Sequence, residues 1–108
     1  DGASVPVLLG AATASEAMRL AERGYPVQKF FPAEAAGGTA ALKALAAPLP
    51  DLRFCPTGGI DSAKAPAYLA LPGVLCIGGS WVAPGDLVRR GAWARITWLA
   101  AEAAALRA

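Results

Sequence analysis

The sequence predicts an α/β fold with a parallel sheet covered by helices. Two observations carry this. Short, largely apolar runs begin near Val5, Val27, Arg53 and Val74, and each is followed by an amphipathic segment with helical spacing. Apart from Gln28, Lys29 and Arg53 the runs are apolar rather than alternating, which fits strands buried on both faces. The resulting order, β-α four times over, is that of a layered α/β unit.

Val5 to Leu9, ended by Gly10, reads as a buried strand with Pro6 near its start, where a missing N–H is tolerated. In "TASEAMRLAERG", Thr13 and Glu16 have capping-box spacing; Ala17, Leu20 and Ala21 line one face, and Gly24 stops the helix. Val27 to Phe31 is the second strand and 32–38 a loop. Thr39 is expected to cap a helix carrying Leu42, Leu45 and Ala46, which ends before Pro48. Arg53 to Cys55 starts the third strand. Asp61 or Ser62 caps a weaker helix toward Leu71, with Pro66 in its first turn. Val74 to Ile77 is the fourth strand. The last helix runs from Trp93 to Leu106, with Ile96, Leu99, Ala103 and Leu106 at helical spacing.

At 108 residues the chain has room for one domain, taken here as residues 1–108. It is 56% hydrophobic and 17% charged, much of the apolar share being alanine, and its net charge is +2. So weak a charge, with Arg89–Arg90 the one adjacent basic pair, does not point to nucleic acid or a membrane surface. No apolar run approaches a membrane span. The start, "DGASVPVLLG", lacks both methionine and the basic region of a secretory signal. Cys55 and Cys76 read as small, buried apolar residues of a reducing compartment. There is no histidine, so acid/base chemistry falls to carboxylates, lysine, tyrosine or water.

Four units pose a physical problem. A parallel barrel closes with eight strands. Four leave two open edges and an apolar inner face. Either the sheet is open and flat, or the chain holds half of a barrel.

Three stretches could carry chemistry. In Val27-Gln28-Lys29-Phe30-Phe31, alternation puts Val27, Lys29 and Phe31 on one face and Gln28 and Phe30 on the other. A lysine on a barrel's inner face is partly desolvated, which lowers its pKa and frees the amine to attack carbonyls. On the lone strand, an edge guard or a snorkelling lysine is the simpler reading. "PTGGI" and "IGGSW" both place a glycine doublet, Gly58-Gly59 and Gly78-Gly79, at the end of a strand. Such amides can cradle an anion, with Ser80 adding a hydroxyl; equally, the doublets can serve only as tight turns. Glu34 and Asp61 lie on the same rim and read as loop or capping residues before acid/base groups. Trp81, Trp93, Trp98 and Tyr68 read as packing residues of helices or a subunit interface.

Taken together, "KFFPAEAAGG", "RFCPTGGI" and "VLCIGGSW", in this order and spacing, closely resemble the C-terminal half of the 2-keto-3-deoxy-6-phosphogluconate (KDPG) and 4-hydroxy-2-oxoglutarate (KHG) aldolase family. The resemblance covers nearly the whole chain, including "ARITWLAAEAAAL". It implies about four C-terminal β-α units of a (β/α)8 TIM barrel, a cytoplasmic class I aldolase of the Entner–Doudoroff pathway, and a homotrimer. By motif position it implies that Lys29 forms a Schiff base with pyruvate and that Phe31 is the aromatic wall beside it. Thr57 then influences aldehyde stereochemistry, and Gly58, Gly59, Gly79 and Ser80 hold the substrate phosphate. No cofactor or metal is implied. The family's general acid/base carboxylate and the groups that hold the pyruvate carboxylate lie on early strands, which no part of this chain matches. "LLGAATASEA" departs from the family's Pro-Gly-rich segment, so the first strand resembles the fifth of the barrel with a modified exit. The resemblance leaves open the galactonate epimer or 4-hydroxy-2-oxoglutarate as substrate. A phosphate-binding half-barrel that associates with itself without catalysis is the competing reading.

Overall fold

Alternation of side chains along a strand decides where the core of this protein sits. In the computed structural model, which describes residues 5–107, the strand β2 (Val27–Phe30) buries Gln28 and Phe30 and leaves Val27 and Lys29 half-buried. The core therefore lies on the Gln28/Phe30 side, under the helices, as the alternation predicts. Phe30, Phe54, Leu42 and Tyr68 are its bulkiest members.

β2 pairs in parallel with β1 (Gly10–Ala11) on one side and β3 (Arg53–Pro56) on the other, in the order β1-β2-β3. The register sets Gly10 and Cys55 opposite Lys29, and Arg53 opposite Val27. Parallel pairing requires crossovers, and the helices α1 (Ala14–Glu22) and α2 (Gly38–Ala46) supply them. α3 (Ala65–Leu69), α4 (Gly85–Arg89), α5 (Trp93–Ala104) and a 3₁₀ turn (Ala105–Arg107) complete the chain.

The capping box forms. Glu16 N donates to Thr13 Oγ1 at 3.2 Å, and Thr13 N donates to Glu16 Oε1 at 3.1 Å. A further bond from Ala12 N, at 2.9 Å, does most to hold the Glu16 carboxyl below the ordinary glutamate range. Thr13→Ala is expected to cost about 1 kcal/mol of stability. Urea melts would read it as a lower midpoint with an unchanged slope. On the inner side of α1, Ala17 is buried and Leu20 and Ala21 pack on the core. Gln28 Nε2 reaches the carbonyls of Ala17 and Tyr25 at 2.9 and 3.0 Å, tying β2 to the helix that precedes it.

Several expectations are corrected. Val5 to Leu9 is not a buried strand. Val5, Val7 and Leu8 are exposed, and the ladder begins only at Gly10, with Leu9 contributing a carbonyl to Lys29 N at 2.8 Å. Among the described residues this segment has a neighbour on one side only, so pairing cannot bury it. α2 is entered through Gly37, with no side-chain cap, and Thr39 lies inside the helix. A β-carbon on Gly37 would stand 2.6 Å from that of Ala41, which explains a glycine there.

Val74 to Ile77 does not form a regular strand. It touches β3 through single bridges, Phe54 to Val74 and Thr57 to Gly78. One side has one residue more than the other between those bridges, so a bulge interrupts the ladder. Cys76, expected to be buried, is exposed; Cys55 is buried. α4 was not foreseen, since "GDLVR" is too short to show a period. α3 is shorter than expected and places Pro66 in its first turn, as anticipated.

α5 begins at Trp93 as expected and ends at Ala104, with Ile96, Leu99 and Ala103 half-buried; Leu106, also half-buried, falls in the 3₁₀ turn that follows. Trp93 and Trp98 point away from them and are 61% and 51% exposed, so they do not pack helices within this chain. The Arg95 guanidinium sits 4.4 Å from the Trp98 ring instead. Trp81 does pack on the core. No helix among the described residues is long and apolar enough to cross a membrane.

Candidate active site

The strand ends converge on one rim. Lys29 lies on the side of β2 opposite the core, and its ammonium is 5.1 Å from the centre of the Phe31 ring. This is a cation–π distance, and it links the two residues that alternation had put on one face. Phe31 is itself 50% exposed, so its ring forms an open wall beside the amine.

The loop after β2 is stitched to the loop after β3. Ala33 N donates to Thr57 O at 2.8 Å, and Glu34 N donates to Gly58 O at 3.1 Å. The Phe31–Pro32 peptide is cis. Gly58 and Gly59 have φ of +110° and +75°, a region that L side chains rarely enter. Added β-carbons would also meet the Pro32–Ala33 backbone at 3.1 Å and the Glu34 side chain at 2.8 Å. The bridge between Thr57 and Gly78 then sets the second doublet beside the first. A β-carbon at Gly78 would stand 2.6 Å from Thr57 Oγ1, and one at Gly79 would strike the Trp81 ring. The glycines are thus required by tight turns and close packing, and the same packing brings the two doublets together. Ser80 is exposed beside them.

Neither rim carboxylate is free. Asp61 Oδ1 accepts from Lys64 N at 2.9 Å, a capping bond at the turn leading into α3. Glu34 Oε2 accepts a short hydrogen bond from Tyr68 Oη, and Oε1 pairs with Lys64 Nζ at 3.1 Å. These two contacts, the tyrosine's first, hold the Glu34 carboxyl below the ordinary range, against partial desolvation and the nearby Asp61 charge. Burial, then Glu34 itself, drives the Tyr68 phenol strongly upward. Sequence reasoning assigned Tyr68 to packing, which is correct for its ring, and missed its hydroxyl. No local signal joins a loop glutamate to a tyrosine so far along the chain.

The sign of the pH dependence follows. A depressed Glu34 contributes stability that is complete above its ordinary value of 4.5 and lost as pH falls through its folded value. A raised Tyr68 contributes stability that is complete below 10.0 and lost as pH rises beyond it. Tyr68→Phe is expected to weaken the fold near neutrality and to flatten both limbs of the stability-against-pH curve. Urea midpoints measured across the pH range would show it; limbs as steep as those of the parent would sink the assignment.

An apolar cleft of ≈ 380 Å³ lies between Leu42, Ala46, Leu49, Phe54, Leu71 and Val74. It opens toward the start of β3, away from the Lys29 rim, and shares no residue with it.

The family described as "Aldolase: KDPG and KHG aldolase" matches residues 2–99. A 2-dehydro-3-deoxy-phosphogluconate aldolase of Pseudomonas aeruginosa is 52% identical over 99 residues, covering 92% of this chain and 45% of that protein. A crystal structure of KDPG aldolase from Legionella pneumophila, with pyruvate captured as a covalent carbinolamine, superposes with a TM-score of 0.87 at 45% identity, covering 91% of this chain and 48% of that one. A Zymomonas mobilis 2-keto-3-deoxy-6-phosphogluconate aldolase with 3-phosphoglycerate gives 0.83 at 47% identity, over 92% and 46%. The chain spans about half the length of the curated relatives it matches. The match over residues 2–99, on a parallel α/β frame that superposes closely on solved aldolases, shows that this chain belongs to the KDPG and KHG aldolase family.

Proposed function

We propose that this chain is the C-terminal half of a (β/α)8-barrel class I aldolase that cleaves 2-keto-3-deoxy-6-phosphogluconate to pyruvate and glyceraldehyde 3-phosphate. The observation that carries the proposal is the convergence of Lys29, the Phe31 ring and the two glycine doublets on one rim of a parallel sheet. The open sheet also supports it. β1 has one neighbour, and Val5, Val7, Leu8 and Leu75 expose apolar surface that closure of a barrel would cover.

In this reading the Lys29 amine attacks the keto carbon, water leaves the carbinolamine, and a protonated imine remains. The imine draws electrons from the C3–C4 bond, so cleavage yields an enamine rather than a free carbanion. Phe31 walls the pyruvyl unit. Thr57, beside Gly78, lies where the aldehyde end would pass and bears on its stereochemistry. The amides of Gly58, Gly59 and Gly79, with the Ser80 hydroxyl, hold the phosphate. The C4 hydroxyl must lose a proton as the bond breaks. Glu34 is committed to Tyr68 and Lys64, so the proposal assigns that proton to a carboxylate outside this chain. The aldolase is placed in the cytoplasm and assembled as a trimer, as the family resemblance implies. Because the phosphate cradle is retained, we favour the phosphorylated substrate over 4-hydroxy-2-oxoglutarate.

The test is complementation. The isolated chain is expected to form an imine with pyruvate but to turn over KDPG weakly or not at all. Adding a polypeptide equivalent to the first four β-α units of a relative should restore pyruvate release, followed by coupled lactate dehydrogenase. Full turnover by the chain alone would show that the missing-half reading is wrong.

A second reading is favoured by the exposed Trp93, Trp98 and Leu75. In it, a non-catalytic half-barrel pairs with a copy of itself through its open face. Sedimentation separates the two: a stable dimer that binds phosphate and forms no imine supports the second.

A further inference from the structure

The two free cysteines meet across the sheet. The bridges Phe54–Val74 and Thr57–Gly78 bracket them. Leu75 N donates to Phe54 O at 3.0 Å and Gly78 N to Pro56 O at 2.9 Å, so the bulged segment holding Cys76 runs alongside Cys55. Cys76 is thereby near enough to act on the Cys55 thiol. Cys55 Sγ also lies 3.9 Å from Thr57 Oγ1. Burial, reinforced by Cys76, pushes the Cys55 thiol above its ordinary range, against a smaller opposing pull from Thr57 and Lys29. The pair is asymmetric: Cys76 is exposed, Cys55 is buried behind it, and both are reduced. Cys76 also lines an open cavity of ≈ 450 Å³ with Leu75, Ile77, Trp81 and Ala103, which leaves room for a substituent.

An exposed thiol backed by a buried one suits a soft, thiophilic centre that takes two sulfurs in succession. We propose that Cys55 and Cys76 form a dithiol chelate site for trivalent organoarsenicals. The Cys76 sulfur displaces one hydroxyl of a hydrated arsine oxide, RAs(OH)2, and the thiol proton leaves with that hydroxyl as water. The Cys55 sulfur displaces the second hydroxyl in the same way. Two As–S bonds replace two As–O bonds, two waters are released, and arsenic stays trivalent, so no oxidant or reductant is consumed. The second bond forms within one molecule, where the effective thiol concentration is high. The site rests on the register and the thiols alone, independent of imine formation at Lys29.

The probe is phenylarsine oxide, added to the folded chain under a phosphine reductant. The expected product carries one phenylarsenic group per chain by intact mass and has lost both titratable thiols. Dimercaprol should remove it, whereas a monothiol at equal thiol concentration should not. Cys76→Ser, at an exposed position, and Cys55→Ser should each bind about a hundredfold more weakly, the usual gain from a second tethered contact. An adduct that a monothiol strips as readily as dimercaprol, a Cys76→Ser variant that binds as tightly as the parent, or a product linking two chains through Cys76 would each overturn the proposal.

Discussion

Lys29→Met is expected to abolish borohydride trapping of pyruvate on this chain while leaving the urea midpoint close to that of the parent. The two halves of that expectation have separate causes. Trapping requires an amine that can attack a ketone and lose water, and methionine offers none. Stability depends on what Lys29 contributes to the fold, which is little. The residue is half-buried on the side of β2 away from the core. Its ammonium lies 5.1 Å from the Phe31 ring centre, a cation–π interaction worth about 0.5–1 kcal/mol at an exposed site. Methionine keeps an unbranched stem of similar reach. Lys29→Arg sharpens the experiment, because it preserves the charge over the ring and still cannot form the imine. Peptide mapping distinguishes Lys29 from Lys43 on α2 and from Lys64, which is paired with Glu34. Adduct on either of those lysines in the Lys29→Met chain, or no adduct in the folded parent, would refute the assignment.

Alternation explains why so much of this site was legible. One period-2 argument placed Lys29 with Phe31 and Gln28 with Phe30, and the burial of Gln28 and Phe30 follows it. Capping chemistry is equally local: Thr13 and Glu16 are three residues apart, and both bonds of their box form. What the sequence hid is non-local or depends on a neighbour. Val5 to Leu9 has the composition of a buried strand, yet burial requires a strand on each side. Val74 to Ile77 has strand composition too, but a one-residue bulge against β3 breaks its ladder. That bulge runs alongside Cys55 the very segment in which Cys76 is exposed. The Glu34–Tyr68 bond joins residues separated by α2 and β3, and each partner has an adequate local explanation without the other. The glycine doublets sit between these cases. Their turns were readable, whereas the contact that sets Gly78 against Thr57 was not.

Phe30 and Phe31 make the sharpest stability test, since they are identical side chains on adjacent residues. Phe30→Ala is expected to lower stability by roughly 3–5 kcal/mol. Phe30 is 1% exposed and belongs to the core formed with Phe54, Leu42 and Tyr68, so truncation removes its buried area and leaves a cavity that close packing cannot refill. Phe31→Ala, at a ring half in solvent, should cost about 1 kcal/mol or less. Against a total of about 5–15 kcal/mol for a domain, the first change is enough to unfold a marginal chain. The functional consequences should run the other way around. Pyruvate trapping in Phe30→Ala should track the folded fraction and return when a stabilising osmolyte restores it. In Phe31→Ala trapping should weaken in a fully folded chain, because the wall beside the amine is gone. Urea melts paired with borohydride trapping would separate the two. Equal stability losses would mean that the core is not on the Gln28/Phe30 side, and unimpaired trapping by a folded Phe31→Ala would remove that ring from the site.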